Sequence, residues 1–266
     1  MQAEAESRVA IQEIRMYQAH ELHRVKLLMP ALCRIRQGKK VVSWGEQNDI
    51  ANNSQIILFP SGHEFGIANY PEGGFYLAEM LYLPPGLIQR FRQFYPLEPQ
   101  EESKRGFCLR QNEGLVFCWE QLKSALQKKL PAQVLEHLAM AILLTLGKNN
   151  ISDLFLSHPQ DSLVSRCQNL LLANPGARWT APEMARQLFM STSTLRRHLA
   201  AEGESFQNLL DDVRLNNALA AIQTTHTPIS EVARENGYLC PSRFTARFQK
   251  RFQITPRALR QAAKAQ

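Results

Sequence analysis

Between Trp179 and Phe252 the chain spells one pattern twice. The first copy runs from Trp179 to about Gly203, WTAPEMARQLFMSTSTLRRHLAAEG. The second runs from Thr227 to about Phe252, TPISEVARENGYLCPSRFTARFQKRF. Met184, Ala185, Arg186 and Gln187 in the first match Val232, Ala233, Arg234 and Glu235 in the second. A turn follows each quartet, then an apolar pair: Leu195 and Leu199, or Phe244 and Phe248. Spacing of four puts each pair on one helix face, where it packs on the helix before the turn. The small alanine in each first helix lets the two helices approach closely. A supersecondary unit restated within one chain is a stronger signal than either copy alone.

Helix boundaries can be read from the same stretch. Thr180 followed by Glu183 reads as a capping box, with Pro182 in the first turn. Thr227 before Pro228 reads as a cap with proline at the first helical position. Gly237 suits the left-handed residue that ends a helix. Ser191 and Ser205 read as caps of the helices that follow them. A joining helix is expected from about Phe206 to Gln223, roughly 27 Å long. Successive major grooves on one face of a duplex lie about 34 Å apart. Two short helices with a tight turn, the second carrying arginine, form a helix-turn-helix that presents its second helix to the major groove. The DNA-binding candidates are therefore Thr192, Ser193, Arg196 and Arg197 in the first unit, and Ser242, Arg243 and Arg247 in the second. Arg196 and Arg197 are expected to matter most, with Arg197 on a base or a phosphate. Arg243 is expected on DNA and Arg247 on its backbone.

Charge agrees. The chain of 266 residues carries a formal charge of +7. From Asp161 onward there are 14 arginines and lysines against 8 aspartates and glutamates. A basic helical domain attracts an anionic partner, and double-stranded DNA is the first choice.

These residues carry a resemblance. ISEVARENGY, FTARFQKRF and ITPRALR, with Thr255 and Pro256 inside the last, resemble the DNA-binding domain of the AraC/XylS family of bacterial transcription regulators. Arg214 and Ala218 also fit the family pattern. The resemblance covers about 100 residues. It implies a cupin-type barrel ahead of the DNA-binding domain, and activation, more often than repression, through contact with RNA polymerase. The chain departs from the pattern at Ala246, where arginine is usual and Arg247 follows instead. Gln253 stands where glycine is usual and Leu259 where tyrosine is usual. The first unit keeps its arginine at Arg197 and is expected to supply most of the sequence specificity.

The N-terminal half reads differently. In residues 25–85 the runs VKLLMPALCRI, QIILFP and FYLAEMLYL have strand length, separated by the turn-like QGKK, SGHEFG and NYPEGG. Short strands packed closely suggest a small barrel or jelly roll. Trp44, Phe59, Phe65, Tyr70, Phe75, Tyr76 and Tyr82 are expected mostly as core, with a pocket lining as the other reading. From about Leu115 the period becomes helical, in LVFCWEQLKSALQKKL and, after Pro131, AQVLEHLAMAILLTLG. These helices are expected to serve dimerisation or to act as inter-domain elements, or else to cover the open side of the barrel. A linker is expected near Gly147–Gln160. The fold class is thus α+β: residues 1–160 form a cupin-like β-barrel with a helical linker, an effector or dimerisation domain, and residues 161–266 an all-α domain with two helix-turn-helix units. A small-molecule or protein effector and a homodimer partner are consistent with this layout.

Other classes fare worse. Cys33, Cys108, Cys118, Cys167 and Cys240 are scattered and form no CxxC, so neither a disulfide framework nor a zinc site is expected. His63 and Glu64 stand together without a His-x-His pair, and His20 and His23, at helical spacing, lack a third ligand. No phosphate loop, nucleophile elbow or HExxH is present. A cupin-type metal-dependent enzyme is the rival reading, and a DNA-binding protein without a regulatory ligand is the other; no cofactor or metal is expected. The N-terminus lacks a signal-peptide core, and LEHLAMAILLTLG is too short to span a bilayer, so a cytoplasmic protein is expected.

Overall fold

In a computed structural model of the chain, residues 9–96, 107–146, 155 and 162–265 are described. The chain divides into two units, Met1–His158 together with Ala262–Gln266, and Pro159–Gln261. The expected linker, Gly147–Gln160, lies outside the described residues apart from Phe155.

The first unit is a two-sheet sandwich. Its strands are β1 (Ala10–Met16), β2 (His20–Lys26), β3 (Ala31–Gln37), β4 (Lys39–Trp44), β5 (Gln47–Ala51), β6 (Gln55–Phe59), β7 (Glu64–Tyr70), β8 (Tyr76–Tyr82) and β9 (Cys108–Arg110). One sheet has the order β1-β8-β3-β6-β9, the other β2-β7-β4-β5, and every pairing is antiparallel. No ladder joins the two sheets among the described residues, so the expected barrel is open: a cupin-like sandwich. The run read as VKLLMPALCRI is two strands, β2 and β3, split at Pro30, whose ring removes a ladder donor. His20 and His23 lie on a strand, not a helix. A bulge between Leu22 and Val25, with Arg24 at φ 52°, separates a buried His20 from an exposed His23.

Alternation assigns each face. Leu32, Ile56, Leu58 and Leu81 point away from the second sheet and are covered by α1 (Pro85–Phe94), α2 (Glu113–Gln127) and α3 (Ala132–Leu146). Phe91, Trp119, Leu122, Ala139 and Leu143 complete that layer, and Phe155 joins it. Cover of the sheet is thus one observed use of the two helices read from Leu115 onward. Of the aromatic residues expected as core, Phe59, Phe65 and Tyr76 are buried, whereas Tyr70 is exposed.

The second unit is all helix: α4 (Leu163–Ala173), α5 (Ala181–Gln187), α6 (Thr192–Ala201), α7 (Phe206–Thr224), α8 (Ile229–Glu235), α9 (Pro241–Phe252) and α10 (Pro256–Ala262). Thr180, Ser191 and Ser205 each accept a backbone N–H three residues on, the capping geometry expected of them. The box at Thr180 is half made, because the Glu183 carboxylate turns to Arg186 at 2.7 Å and to Gln187 at 3.2 Å. Thr227 is not a cap. Pro228, extended at φ −54° and ψ 142°, takes the cap position of α8 and brings no side-chain bond.

Candidate DNA interface

The repeat seen in the sequence holds atom by atom in the turns. In the first unit Phe189 N–H donates to Arg186 O at 3.2 Å and Met190 N–H to Ala185 O at 3.0 Å. In the second, Gly237 N–H donates to Arg234 O at 2.9 Å and Tyr238 N–H to Ala233 O at 2.9 Å. Each pair satisfies carbonyls left open at a helix end, and needs one residue in the left-handed region. Those residues are Phe189 at φ 56° and Gly237 at φ 77°. The ion pairs repeat too: Glu183–Arg186 at 2.7 Å on α5 and Glu231–Arg234 at 3.2 Å on α8. The second turn is longer by one residue, Leu239, before Cys240 begins α9.

Each second helix is held by its apolar side and shows its polar side. Leu195 and Leu199 of α6 are buried, as are Met184 and Ala185 of α5. In α9, Phe244, Phe248 and Phe252 are buried and stack in sequence, at 5.6 Å and 4.7 Å between centroids. Ser193, Arg196 and Arg197 are exposed on α6, with Thr192 half-buried at its first turn. Neither Arg196 nor Arg197 is held by a hydrogen bond or ion pair among the described residues. Ser242 and Arg243 are exposed at the start of α9, with Ser242 Oγ 3.0 Å from Cys240 Sγ. Arg247 is different. It is half-buried and ion-paired to Asp211 of α7. Four residues on, Arg251 pairs with Asp212 Oδ1 at 3.1 Å.

Residues not singled out for these contacts fix how the two units sit on α7. Arg214 donates from Nε to Pro175 O at 3.0 Å and from Nη2 to Ala177 O at 2.8 Å. Its guanidinium covers Gly237, where an added Cβ would lie 2.4 Å from Nη2. Gly176 sits on the end of α8, where a Cβ would meet Glu235 O at 2.6 Å. The segment before the first unit, the joining helix and the turn of the second unit are therefore one block. Arg260 closes the other end, donating to Ile222 O at 3.1 Å and Thr227 O at 2.8 Å. Arg214 was visible as a family match, but its carbonyl partners lie 37 to 39 residues away.

The sandwich interior holds polar groups of its own. Lys40, 3% exposed, donates to Asn69 Oδ1 at 2.6 Å. Asn69 Nδ2 reaches His20 Nε2 at 3.0 Å, and His20 Nδ1 lies 3.2 Å from Gln18 O. With the proton on Nδ1, every member of this chain is satisfied and His20 is neutral. Burial, reinforced by the charge of Lys40, lowers the His20 pKa to about 4, against a carbonyl contact with Gln18 that raises it. On the helix-covered face, Glu79 is 1% exposed and accepts from Trp119 Nε1 at 2.8 Å and from Lys123. Arg34 and Arg36 meet Glu120 beside it at 2.7 Å and 2.8 Å. This charge cluster ties α2 to β3 and β8. Among the described residues no group of three or more His, Cys, Asp or Glu is placed to hold a metal ion. No helix among them is long and apolar enough to cross a membrane.

Comparison with known proteins agrees with this geometry. A helix-turn-helix domain model matches residues 184–262. The transcriptional regulator SirC of Salmonella typhimurium is 41% identical over 88 residues, covering 33% of this chain and 30% of SirC. The ornithine utilization regulator of Pseudomonas aeruginosa is 31% identical over 169 residues, covering 64% of this chain and 45% of that protein. The chain thus spans about a third to a half of the length of these curated relatives. ToxT from Vibrio cholerae, at 12% identity, has a similar fold: the TM-score is 0.67 with 97% of this chain and 99% of ToxT covered. With two units whose turns match bond for bond, residues 184–262 form a helix-turn-helix domain, similar to a stretch of transcription regulators such as SirC.

Proposed function

We propose that this protein is a sequence-specific transcription regulator that binds double-stranded DNA through α6 and α9 and works as an activator. The observation that carries it is the pair of outward arginine faces on helices set by one rigid block. Arg196 and Arg197 on α6, with Thr192 and Ser193 at its first turn, read the first half-site. Ser242 and Arg243 of α9 contact the second. Arg247 is assigned to the DNA backbone, and its pairing with Asp211 gives it a structural share as well. The N-terminal sandwich acts as the effector or dimerisation domain. ToxT, which shares the fold, has been crystallised with an unsaturated fatty acid bound, which supports an effector role for such a unit. RNA polymerase and a second copy of the chain are the protein partners of this reading, and the cytoplasm is its compartment. An enzyme finds no support, since the relatives are regulators.

Selection of sites from random duplexes with the full chain tests it. Two half-sites about 10 base pairs apart are expected. A promoter carrying the selected site should then give more transcript with the protein than without. Failure to enrich any duplex at low salt would sink the proposal. One half-site alone would leave α9 as a support for α6.

A further inference from the structure

Two apolar side chains in the second unit stand out of the protein where nothing in it holds them. Phe189 is 97% exposed and Leu239 is 89% exposed. Single exposed apolar residues are ordinary on a protein surface. These two share a place: each lies in the turn between the two helices of its unit. Phe189 comes two residues before Ser191, the cap of α6, and Leu239 comes directly before Cys240, the cap of α9. Phe189 is also strained. It occupies the left-handed position that the second unit gives to Gly237, at φ 56° against 77°. A bulky residue there is a backbone outlier, and such outliers persist where the surroundings or the function require them. At 97% exposure the phenyl ring recovers nothing by packing inside the protein.

We propose that Phe189 and Leu239 are apolar contacts to the DNA major groove, each touching a thymine methyl group beside the bases met by its recognition helix. This rests on the DNA-binding reading above. Consecutive Cα atoms are about 3.8 Å apart, so Phe189 lies within about 8 Å of the α6 cap and Leu239 about 4 Å from that of α9. A surface that receives the first turn of either helix meets these side chains as well. The neighbours fit a polyanion: Arg186, Arg196 and Arg197 are exposed around the first turn, and Arg243 beside the second. In the major groove the apolar feature on base edges is the thymine methyl, which apolar side chains contact. The strained Phe189 is then a residue kept for binding at the expense of local stability.

The test uses the full chain and its selected duplex. Thymines in the selected site are replaced one at a time by uracil, which removes only the methyl group. Wild-type affinity should fall about fourfold at one thymine in each half-site, the effect of one buried methyl. Phe189→Ala should abolish that sensitivity in the first half-site, and Leu239→Ala in the second. Phe189→Gly controls for folding: it should keep or raise the melting temperature, because glycine relieves the left-handed backbone, and still lose the methyl effect. Uracil sensitivity unchanged in the variants, or no sensitive thymine in wild type, overturns the proposal. Loss of promoter activation with affinity and methyl sensitivity intact would also overturn it, since the side chains would then face a protein. If no duplex is bound at all, the DNA-binding reading itself has failed.

Discussion

His20 shows what burial does to one titratable group. Its unfolded pKa is about 6.5, and in the folded chain burial and Lys40 hold it at about 4. Between those values the unfolded chain binds more protons than the folded one, so stability rises with pH there. The contribution is complete above about pH 6.5 and is lost as pH falls toward 4. It amounts to something on the order of 3 kcal/mol. Urea titrations of wild type and His20→Gln at pH 7.5, 5.5 and 4.5 should show a smaller pH dependence in the variant; parallel curves would remove His20 from the account. Cys240 behaves in the opposite way. Its thiol is exposed, and hydrogen bonding from Ser242 and from the backbone of Arg243 and Ser242 lowers its pKa. Burial raises those of Cys33, Cys108 and Cys167, to about 12 at Cys108 and about 11 at Cys167. Iodoacetamide should therefore label Cys240 before those three. Because Cys240 caps α9, the selected duplex should slow that labelling; unchanged labelling with saturating DNA would place the start of α9 off the duplex.

At the scale of elements, α7 does more than separate two units. Nineteen residues of helix reach about 28 Å, but the relative setting of the units depends on Arg214. Its two carbonyl bonds hold the segment before the first unit, and its guanidinium rests on the turn of the second. Hydrogen bonds to a charged group contribute about 1.5–3 kcal/mol each. Arg214→Ala removes both bonds and should destabilise this unit by about 3 kcal/mol or more. Its sharper consequence lies in binding: the advantage of a two-half-site duplex over a single half-site should shrink. Arg214→Lys, with one point charge and no fork, should not restore it. A variant that keeps the full two-site advantage would show that α7 alone sets the spacing. What was legible in the sequence follows from range. The bounds of α7, the caps at Ser191 and Ser205 and the left-handed Gly237 depend on neighbours a few residues away. Thr227 misled because Pro228 competes for the same cap position. The contacts of Arg214, the Asp211–Arg247 pair and the Lys40–Asn69–His20 chain join residues 29 to 49 positions apart only after folding. The split of the expected barrel into two sheets is of the same kind, since strand signals carry no register between sheets.

For the whole molecule, net charge is the property that reaches beyond contact distance. Most of the +7 falls after Asp161, with 14 basic residues against 8 acidic ones. Nine of these fourteen basic residues fall into two classes. Arg214, Arg247, Arg251 and Arg260 cross-link the helices through carbonyls or aspartates. Arg186, Arg196, Arg197, Arg234 and Arg243 are exposed around the two turns and recognition helices. The second class is placed to displace counterions from a duplex, and each phosphate it neutralises adds about −0.9 to the slope of log affinity against log salt. Five such arginines lead to a slope of about −4 to −5 for the full chain. Arg196→Ala with Arg197→Ala should make that slope shallower by one to two units if both meet phosphates, and by less if one of them reads a base. Arg214→Ala should weaken binding through loss of the block and leave the slope where it was. Titrations at several salt concentrations separate the two classes directly. A slope that responds to Arg214→Ala and not to the α6 pair would mean that the exposed arginine face of α6 is not the surface that meets DNA.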